Sequence, residues 1–227
     1  MSYGYEINDL AKEDSWRMFR IIGELVEGFD ELAGIEPAVT IYGSARLKAE
    51  DELYAQTEEI ASRLGQMGFT IITGGGPGVM EAANRGALKS GSRSIGLNID
   101  LPEEQVCNPY TTKSITFNHF FVRKVMLVKY TTAFIVMPGG LGTLDELTEV
   151  LTLIQTHKIR PFPVLLFNGQ YWKGFLEWLK SFVLVREFIS ESDLNLLRVC
   201  DHVDEIIEAV QRWHIKQEII GKKALLN

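Results

Sequence analysis

Two glycine-rich segments, each placed directly after a short apolar run, point most clearly to chemistry in this sequence. Residues 74–78 read Gly-Gly-Gly-Pro-Gly, and residues 138–143 read Pro-Gly-Gly-Leu-Gly-Thr. Glycine permits positive φ angles and close approach of a ligand to the backbone. The free N–H groups of a following helix then attract an anion. Four glycines in five residues exceed the needs of a simple turn. Both segments therefore predict anion-binding loops, and Thr143 offers a helix cap and a hydroxyl for phosphate.

Two acidic and two basic residues accompany these loops. Asp145 and Glu146 follow the second loop, on the predicted first turn of a helix, where acidic residues also complement the helix dipole. A carboxylate beside an anion site is electrostatically unfavourable unless it takes part in the chemistry. We therefore interpret Glu146 as functional, and for Asp145 we leave open a functional role and a role in complementing the helix dipole. Arg123 and Lys124 lie within the apolar stretch 120–128. Burial of these two charged groups costs free energy unless they meet an anion, which favours a binding role. The alternative is that both side chains lie at a solvated edge, with the aliphatic part buried and the charge in water.

A third loop, residues 43–46, reads Gly-Ser-Ala-Arg. Arg46 either makes a bidentate phosphate contact or is an exposed loop arginine. Neither glycine-rich loop matches a cofactor motif. Val79 and Asp145 stand where the dinucleotide motif G-x-G-x-x-G needs glycine, and the P-loop motif G-x-x-x-x-G-K-[ST] is absent. The four histidines show no metal-ligand spacing, so we expect neither a metal nor a cofactor.

A parallel sheet is the predicted support for these loops. After Pro37, short apolar runs alternate with amphipathic helices, which is typical of an α/β, Rossmann-like doubly wound sheet covered by helices on both faces. The predicted strands are residues 38–42, 69–73, 94–99, 114–117, 133–137, 163–167 and 196–200. The predicted helices are residues 14–32, 51–67, 79–89, 118–129, 144–156, 172–184 and 203–213. We expect an N-terminal helical extension (residues 1–36) and one nucleotide-binding catalytic domain (37–227), with the loops at the ligand-binding carboxyl edge.

Composition narrows the class of partner. The 227 residues fit a single α/β domain. A net charge of −7 without a basic cluster argues against nucleic acid. No apolar run approaches the roughly 20 residues that span a bilayer, and residues 1–10 do not resemble a secretory signal. Cys107 and Cys200 form no motif, which fits a reducing compartment. We expect a cytoplasmic protein that binds a small anion and neither nucleic acid nor membrane.

Three segments together resemble the LOG family: residues 74–81 (GGGPGVME), the pair Arg123-Lys124, and residues 138–146 (PGGLGTLDE). The resemblance spans about residues 39–210. Members of this family are phosphoribohydrolases that release cytokinin bases from their riboside 5′-monophosphates, and they were long labelled lysine decarboxylases. The N-terminal helix and the loop 101–105 resemble the longer subgroup. The resemblance implies a Rossmann-like fold and a homodimer or larger assembly with its active site near the subunit interface.

The resemblance also implies roles for particular residues. Arg123 and Glu146 would be the catalytic pair, and Glu104 is the candidate for an acidic substrate contact in the loop before the Arg-Lys helix. The family often has Glu where this chain has Asp145, which shortens the reach of that carboxylate toward the ribose. The predicted substrate-binding residues are Ser44, Arg46, Gly75, Gly76, Gly78, Glu81, Glu104, Lys124, Gly139, Gly140, Leu141, Gly142, Thr143, Leu144, Asp145 and Thr152.

The implied reaction is cleavage of the N-glycosidic bond of AMP or an N6-modified AMP, giving a free base and ribose 5-phosphate. A fixed carboxylate near C1′ would stabilise the oxocarbenium-like transition state and orient water. One alternative is a non-catalytic nucleotide-binding protein, or a protein similar to molybdenum-cofactor carriers, which share this fold and bind a phosphorylated pterin. A decarboxylase would usually need pyridoxal phosphate on a lysine, and no lysine here has a recognisable cofactor setting. Base preference is not encoded in any pattern.

Overall fold

The structure, a computed structural model, describes residues 14–101 and 107–224. Its seven strands are β1 (Ala38–Tyr42), β2 (Thr70–Thr73), β3 (Ser94–Ile99), β4 (Lys113–Phe117), β5 (Thr131–Val136), β6 (Val164–Phe167) and β7 (Leu197–Cys200). The helices are α1 (Asp14–Glu31), α2 (Glu52–Gln66), α3 (Val79–Lys89), α4 (Phe120–Lys129), α5 (Leu141–Gln155), α6 (Gly169–Trp178), α7 (Glu191–Leu194) and α8 (Val203–Ala224), with a π-helical turn at Leu179–Leu184.

All seven strands form one parallel sheet in the order β4-β3-β2-β1-β5-β6-β7. The first four strands build one half of the sheet outward from β1, and β5 then returns to the other side of β1. The direction of winding therefore reverses between β1 and β5. Ligands of such sheets bind in the crevice at this switch point, outside the carboxyl ends of the strands. The predicted Rossmann-like fold is confirmed.

An apolar core covers each face of the sheet, which explains why most strands read as continuous apolar runs. The residues of β1, β2, β3 and β6 are buried throughout. One cluster packs α4, α5 and α6 onto the sheet through Val122, Leu147 and Trp172. The opposite cluster includes Ile60 of α2 and Ile206 of α8. The two layers fix the strand ends from which the glycine-rich loops emerge.

Helix α1 packs against α4 and supports its start. A side chain at Gly28 would overlap Met126 of α4, so glycine allows the two helices to approach closely. The carboxylate of Glu24 accepts hydrogen bonds from the backbone N–H groups of Asn118 and His119, at 3.2 and 3.3 Å. These amides belong to the start of α4, where backbone donors lack helical partners. Glu24, which lies on α1, thus caps the N-terminus of α4, the helix that carries Arg123.

The ends of three helices differ by three or more residues from the sequence prediction. Helix α5 begins at Leu141 rather than near residue 144, although Gly142 costs about 1 kcal/mol in a helix. Asp145 and Glu146 therefore lie on the second turn, where complementing the helix dipole explains them less well. Helix α6 begins earlier than predicted and continues into the π-helical turn, and α8 extends to Ala224.

Candidate active site

A cavity of about 500 Å³ opens at the switch point between β1 and β5. It combines the loop after β1, one face of α4 and the first two turns of α5. The residues that line it are Tyr42, Gly43, Ser44, Ala45, Arg46, Met80, Phe120, Arg123, Gly140, Leu141, Gly142, Thr143, Asp145 and Glu146. The cavity thus brings together both predicted catalytic residues and seven of the predicted substrate-binding positions.

Backbone hydrogen bonds join the loops around Ser44. Its N–H donates to Pro138 O at 3.0 Å, and its carbonyl accepts from Val79 N at 3.0 Å. Gly78 has φ +68°, and a side chain there would collide with Ser44 O, so this position requires glycine. From the other side, Tyr171 Oη donates to Gly139 O at 2.6 Å. The three loops at the strand ends are therefore held in one fixed arrangement.

The start of α5 has the features of an anion site. Its N-cap residue is Gly140, and no side chain caps the helix. A Cβ at Gly140 or Gly142 would meet nothing within 4 Å, so the first turn faces open space. The N–H groups of a first turn have no partners within the helix, and the helix dipole adds positive potential. A phosphate at the mouth of the cavity would satisfy these donors.

Arg123 and Glu146 face each other inside the cavity. Arg123 is 9 % exposed and Glu146 is 6 % exposed. Arg123 Nε donates to Leu97 O at 2.7 Å, and Arg123 Nη1 lies 4.0 Å from Glu146 Oε1. A side chain at Gly74 would overlap the guanidinium, so the first glycine of the 74–78 loop makes room for it. The guanidinium and the carboxylate attract each other electrostatically but form no direct hydrogen bond. Both groups can therefore still bind a ligand.

Burial sets the protonation behaviour of Glu146. It raises the pKa of this carboxyl from 4.5 to about 7, while Arg123 and then Lys124 oppose the shift. Oε2 of Glu146 is buried and has no hydrogen-bond partner among the described residues. A carboxyl with a pKa near neutrality can both take and release a proton at physiological pH. Burial also lowers the pKa of Arg123, although Glu146 opposes that shift.

Lys124 lies beside the cavity but does not line it. Its ammonium group contacts Asp145 Oδ2 at 2.8 Å and Glu149 Oε2 at 3.2 Å. Burial lowers the pKa of Lys124, but the hydrogen bond to Asp145 and the other nearby carboxylates outweigh it, and the pKa is raised. In this structure Lys124 therefore orients Asp145, which lines the cavity. A direct substrate contact by Lys124 stays a prediction.

Several predicted substrate-binding residues lie outside the cavity lining. Glu81 accepts a hydrogen bond from Tyr54 Oη at 2.8 Å. Thr152 is exposed near the far end of α5, and its hydroxyl donates to Thr148 O at 2.8 Å. Glu104 lies outside the described residues. Five further positions are also outside the lining. Gly75, Gly76 and Gly78 are buried in the loop after β2, Gly139 is buried before α5, and Leu144 is half-buried on α5.

Sequence reasoning missed four residues that shape the site. Tyr42, Met80 and Phe120 line the cavity, and Tyr171 fixes the second glycine-rich loop. Tyr42 carried a usable signal, because a residue with a hydroxyl ends a predicted buried strand immediately before a glycine loop. Tyr171 carried none, since its role depends on the pairing of β5 with β6.

Comparison with known proteins identifies the family of the chain. The profile of the family described as "Possible lysine decarboxylase", which is the LOG family, matches residues 80–210, more than half of the chain. The chain belongs to the LOG family. One relative in the LOG family is the cytokinin riboside 5′-monophosphate phosphoribohydrolase LOG1 of Arabidopsis thaliana. It is 27 % identical over 173 residues, which are 73 % of this chain and 78 % of that protein.

A second relative of this LOG-family chain is the pyrimidine/purine nucleotide 5′-monophosphate nucleosidase of Escherichia coli. It is 27 % identical over 156 residues, which are 64 % of this chain but 34 % of that longer protein. Among solved structures, the molybdenum cofactor carrier protein of Chlamydomonas reinhardtii superposes with a TM-score of 0.56 at 20 % identity. The match covers 79 % of this chain and 98 % of the carrier. This likeness shows the shared fold.

In residues 14–101 and 107–224, no group of three His, Cys, Asp or Glu side chains is arranged to hold a metal ion. Within the same ranges, no helix is long and apolar enough to cross a membrane.

Proposed function

We propose that this chain hydrolyses the N-glycosidic bond of a nucleoside 5′-monophosphate, releasing a free base and ribose 5-phosphate. One observation carries the proposal: a buried carboxylate, 4.0 Å from a buried guanidinium, shares a cavity with an uncapped helix start. A nucleoside monophosphate has the matching parts, which are a terminal anion, a sugar and a bond whose cleavage develops positive charge. The cavity volume of about 500 Å³ suits a small-molecule ligand of this kind.

The helix start and Arg46 would bind the phosphate. The first turn of α5 supplies backbone donors, and the exposed Arg46 at the cavity rim supplies a guanidinium fork. The phosphate is remote from the bond that breaks. Its binding energy therefore serves to position the ribose against Glu146.

The carboxylate of Glu146 would lie beside the anomeric carbon C1′. As the bond from C1′ to the base breaks, positive charge develops on the sugar, and a preorganised carboxylate stabilises it. Water then adds its oxygen to C1′ and gives a proton to Glu146. The base leaves with the bonding electrons and takes up a proton from solvent, and Glu146 returns its proton to solvent. The pKa of about 7 suits this exchange of protons. Arg123 would hold the sugar hydroxyls or polarise the leaving base.

The names of two relatives support this reaction class. The Arabidopsis relative is named for a cytokinin riboside 5′-monophosphate, and the Escherichia coli relative for pyrimidine and purine nucleotides. Their shared element is a nucleoside 5′-monophosphate as substrate. We propose AMP or an N6-modified AMP as the substrate, in a cytoplasmic homodimer or larger assembly that uses no cofactor.

The test is release of ribose 5-phosphate from a panel of nucleoside mono-, di- and triphosphates, nucleosides and bases. Monophosphates should react, and Glu146→Gln should lower kcat/KM by at least about a hundredfold, since it removes a preorganised charge from the transition state. The matched control is Glu177→Gln, because Glu177 is an exposed carboxylate on α6. Full activity of the Glu146 variant would show that the catalytic assignment is wrong.

A carrier function is the second candidate, because the chain shares its fold with a molybdenum cofactor carrier. A carrier would copurify with a fluorescent pterin and release no base from any nucleotide. The buried Arg123–Glu146 pair favours the enzyme, since binding alone does not require a carboxylate with a raised pKa beside an anion site.

A further inference from the structure

Two buried oxygen atoms of the active-site cavity have no hydrogen-bond partner among the described residues. They are the hydroxyl of Tyr42 and Oε2 of Glu146. Tyr42 is 7 % exposed and Glu146 is 6 % exposed, and both residues line the cavity. A buried polar atom without a partner costs about 1–3 kcal/mol. Such atoms are rare and need an explanation, and a ligand that supplies the missing hydrogen bonds is one.

The ring of Tyr42 is held rigidly. Tyr42 ends β1, and its ring stacks on that of Phe134 with centroids 5.0 Å apart and planes 16° apart. Phe134 in turn stacks on Phe162 at 5.4 Å. The carbonyl of Tyr42 accepts a hydrogen bond from Met137 N at 2.8 Å. The hydroxyl therefore has a fixed position before any ligand arrives, which reduces the entropy lost on binding.

The two oxygens are complementary in hydrogen-bonding type. Burial, followed by the carboxylate of Glu146, raises the pKa of Tyr42 well above 10, so its hydroxyl keeps its proton at neutral pH. Tyr42 thus offers a donor, and the ionised carboxylate of Glu146 offers an acceptor. A single hydroxyl group can satisfy both, because it accepts one hydrogen bond and donates another.

We propose that Tyr42 recognises the 2′-hydroxyl of the substrate ribose. This inference rests on the proposed function, which places Glu146 at C1′ of the sugar. The 2′-hydroxyl is attached to the neighbouring carbon, so it is the sugar hydroxyl nearest to that carboxylate. Tyr42 donates to the 2′ oxygen, and the 2′-hydroxyl donates to Glu146. Tyr42 is then a specificity-determining residue that separates ribonucleotides from 2′-deoxyribonucleotides.

The experiment compares Tyr42→Phe with the wild type on AMP, 2′-deoxy-AMP and 3′-deoxy-AMP. The variant removes one hydroxyl and keeps the stacked ring. We expect the preference for AMP over 2′-deoxy-AMP in kcat/KM to fall about tenfold, which corresponds to one hydrogen bond of about 1.4 kcal/mol. The preference for AMP over 3′-deoxy-AMP should not change. The unfolding temperature should not fall, because the variant removes an unsatisfied buried hydroxyl.

The matched control is Tyr130→Phe. Tyr130 is also 7 % exposed, but its hydroxyl donates to Phe29 O at 3.3 Å, outside the cavity. Both nucleotide preferences should stay as in the wild type. If Tyr42→Phe lowers activity equally on all three nucleotides, or leaves every ratio unchanged, the recognition of the 2′-hydroxyl is refuted.

Calorimetric dissociation constants for the same three nucleotides separate this inference from the proposed function. If the wild-type protein cleaves AMP and Tyr42→Phe leaves the nucleotide preferences in kcat/KM unchanged, the role of Tyr42 is refuted and the proposed function stands. Protein that binds AMP without cleaving it refutes the proposed function. In that case Tyr42→Phe supports recognition by Tyr42 if it lowers the ratio of the dissociation constant of 2′-deoxy-AMP to that of AMP about tenfold, and an unchanged ratio refutes it. Absence of nucleotide binding overturns both.

Discussion

Glu146→Gln should make the protein more stable at alkaline pH while it abolishes activity. The carboxyl has a pKa of about 7 in the folded protein, compared with 4.5 for an exposed glutamate side chain. The folded state therefore holds its proton more tightly, and stability falls as pH rises from 4.5 to 7. Above pH 7 the full cost of the buried charge is present, about 3 kcal/mol. Glutamine keeps the shape and carries no charge, so it escapes this cost.

Urea unfolding followed by circular dichroism measures the effect at pH 5 and pH 8. The stability advantage of Glu146→Gln over the wild type should be about 2.5 kcal/mol larger at pH 8 than at pH 5. Both proteins are compared at one concentration, so that any subunit association contributes equally. Glu177→Gln, which changes an exposed carboxylate, is the control for the substitution itself. An advantage that is equal at both pH values would refute the raised pKa and the reasoning built on it.

Three further outcomes are expected. In the free enzyme, kcat/KM should rise about tenfold per pH unit below pH 7 and level off above it, because the ionised form of Glu146 is the reactive one. Gly139→Ala should weaken AMP binding at least tenfold in calorimetry, since its Cβ would overlap the Thr143 hydroxyl. Gly142→Ala, with open space around its Cβ, should raise stability toward urea by up to about 1 kcal/mol. Gly28→Leu should lower thermal stability by about 1–3 kcal/mol through its overlap with α4, whereas Gly23→Leu, which meets nothing, should not. Wild-type affinity of Gly139→Ala for AMP, equal stability of Gly28→Leu and Gly23→Leu, or a flat pH profile would contradict the corresponding assignment.

The fold was predictable because the strands are short apolar runs with a loop signal after each. The bounds of β1, β3 and α3 agree with the sequence prediction, and all seven predicted strands exist. Burial on both faces of a parallel sheet forces this continuous apolar pattern. The short α7 was missed, since four residues such as Glu191–Leu194 give no helical periodicity to detect.

The core of the site was also predictable, but its supporting contacts were not. Loops that follow neighbouring parallel strands meet at one edge, so residues 43–46, the start of α5 and Glu146 line one cavity as expected, whereas residues 74–78 lie outside its lining. The contacts of Glu24 with the start of α4 and of Tyr171 with Gly139 join residues 94 and 32 positions apart. Such pairs depend on how elements dock in three dimensions, and no local pattern encodes them. The pKa of Glu146 likewise follows from burial, which composition does not reveal.

The hydrogen bonds between Glu24 and the start of α4 link α1 to the helix that carries Arg123, which would contact the sugar. Local melting of α1 would uncover the amides of Asn118 and His119 and let the first turn of α4 fray. Arg123 begins the next turn of that helix, and its backbone N–H is bonded to His119 O at 3.2 Å. Loss of α1 would therefore increase the mobility of the Arg123 guanidinium, although α1 contributes no residue to the cavity lining.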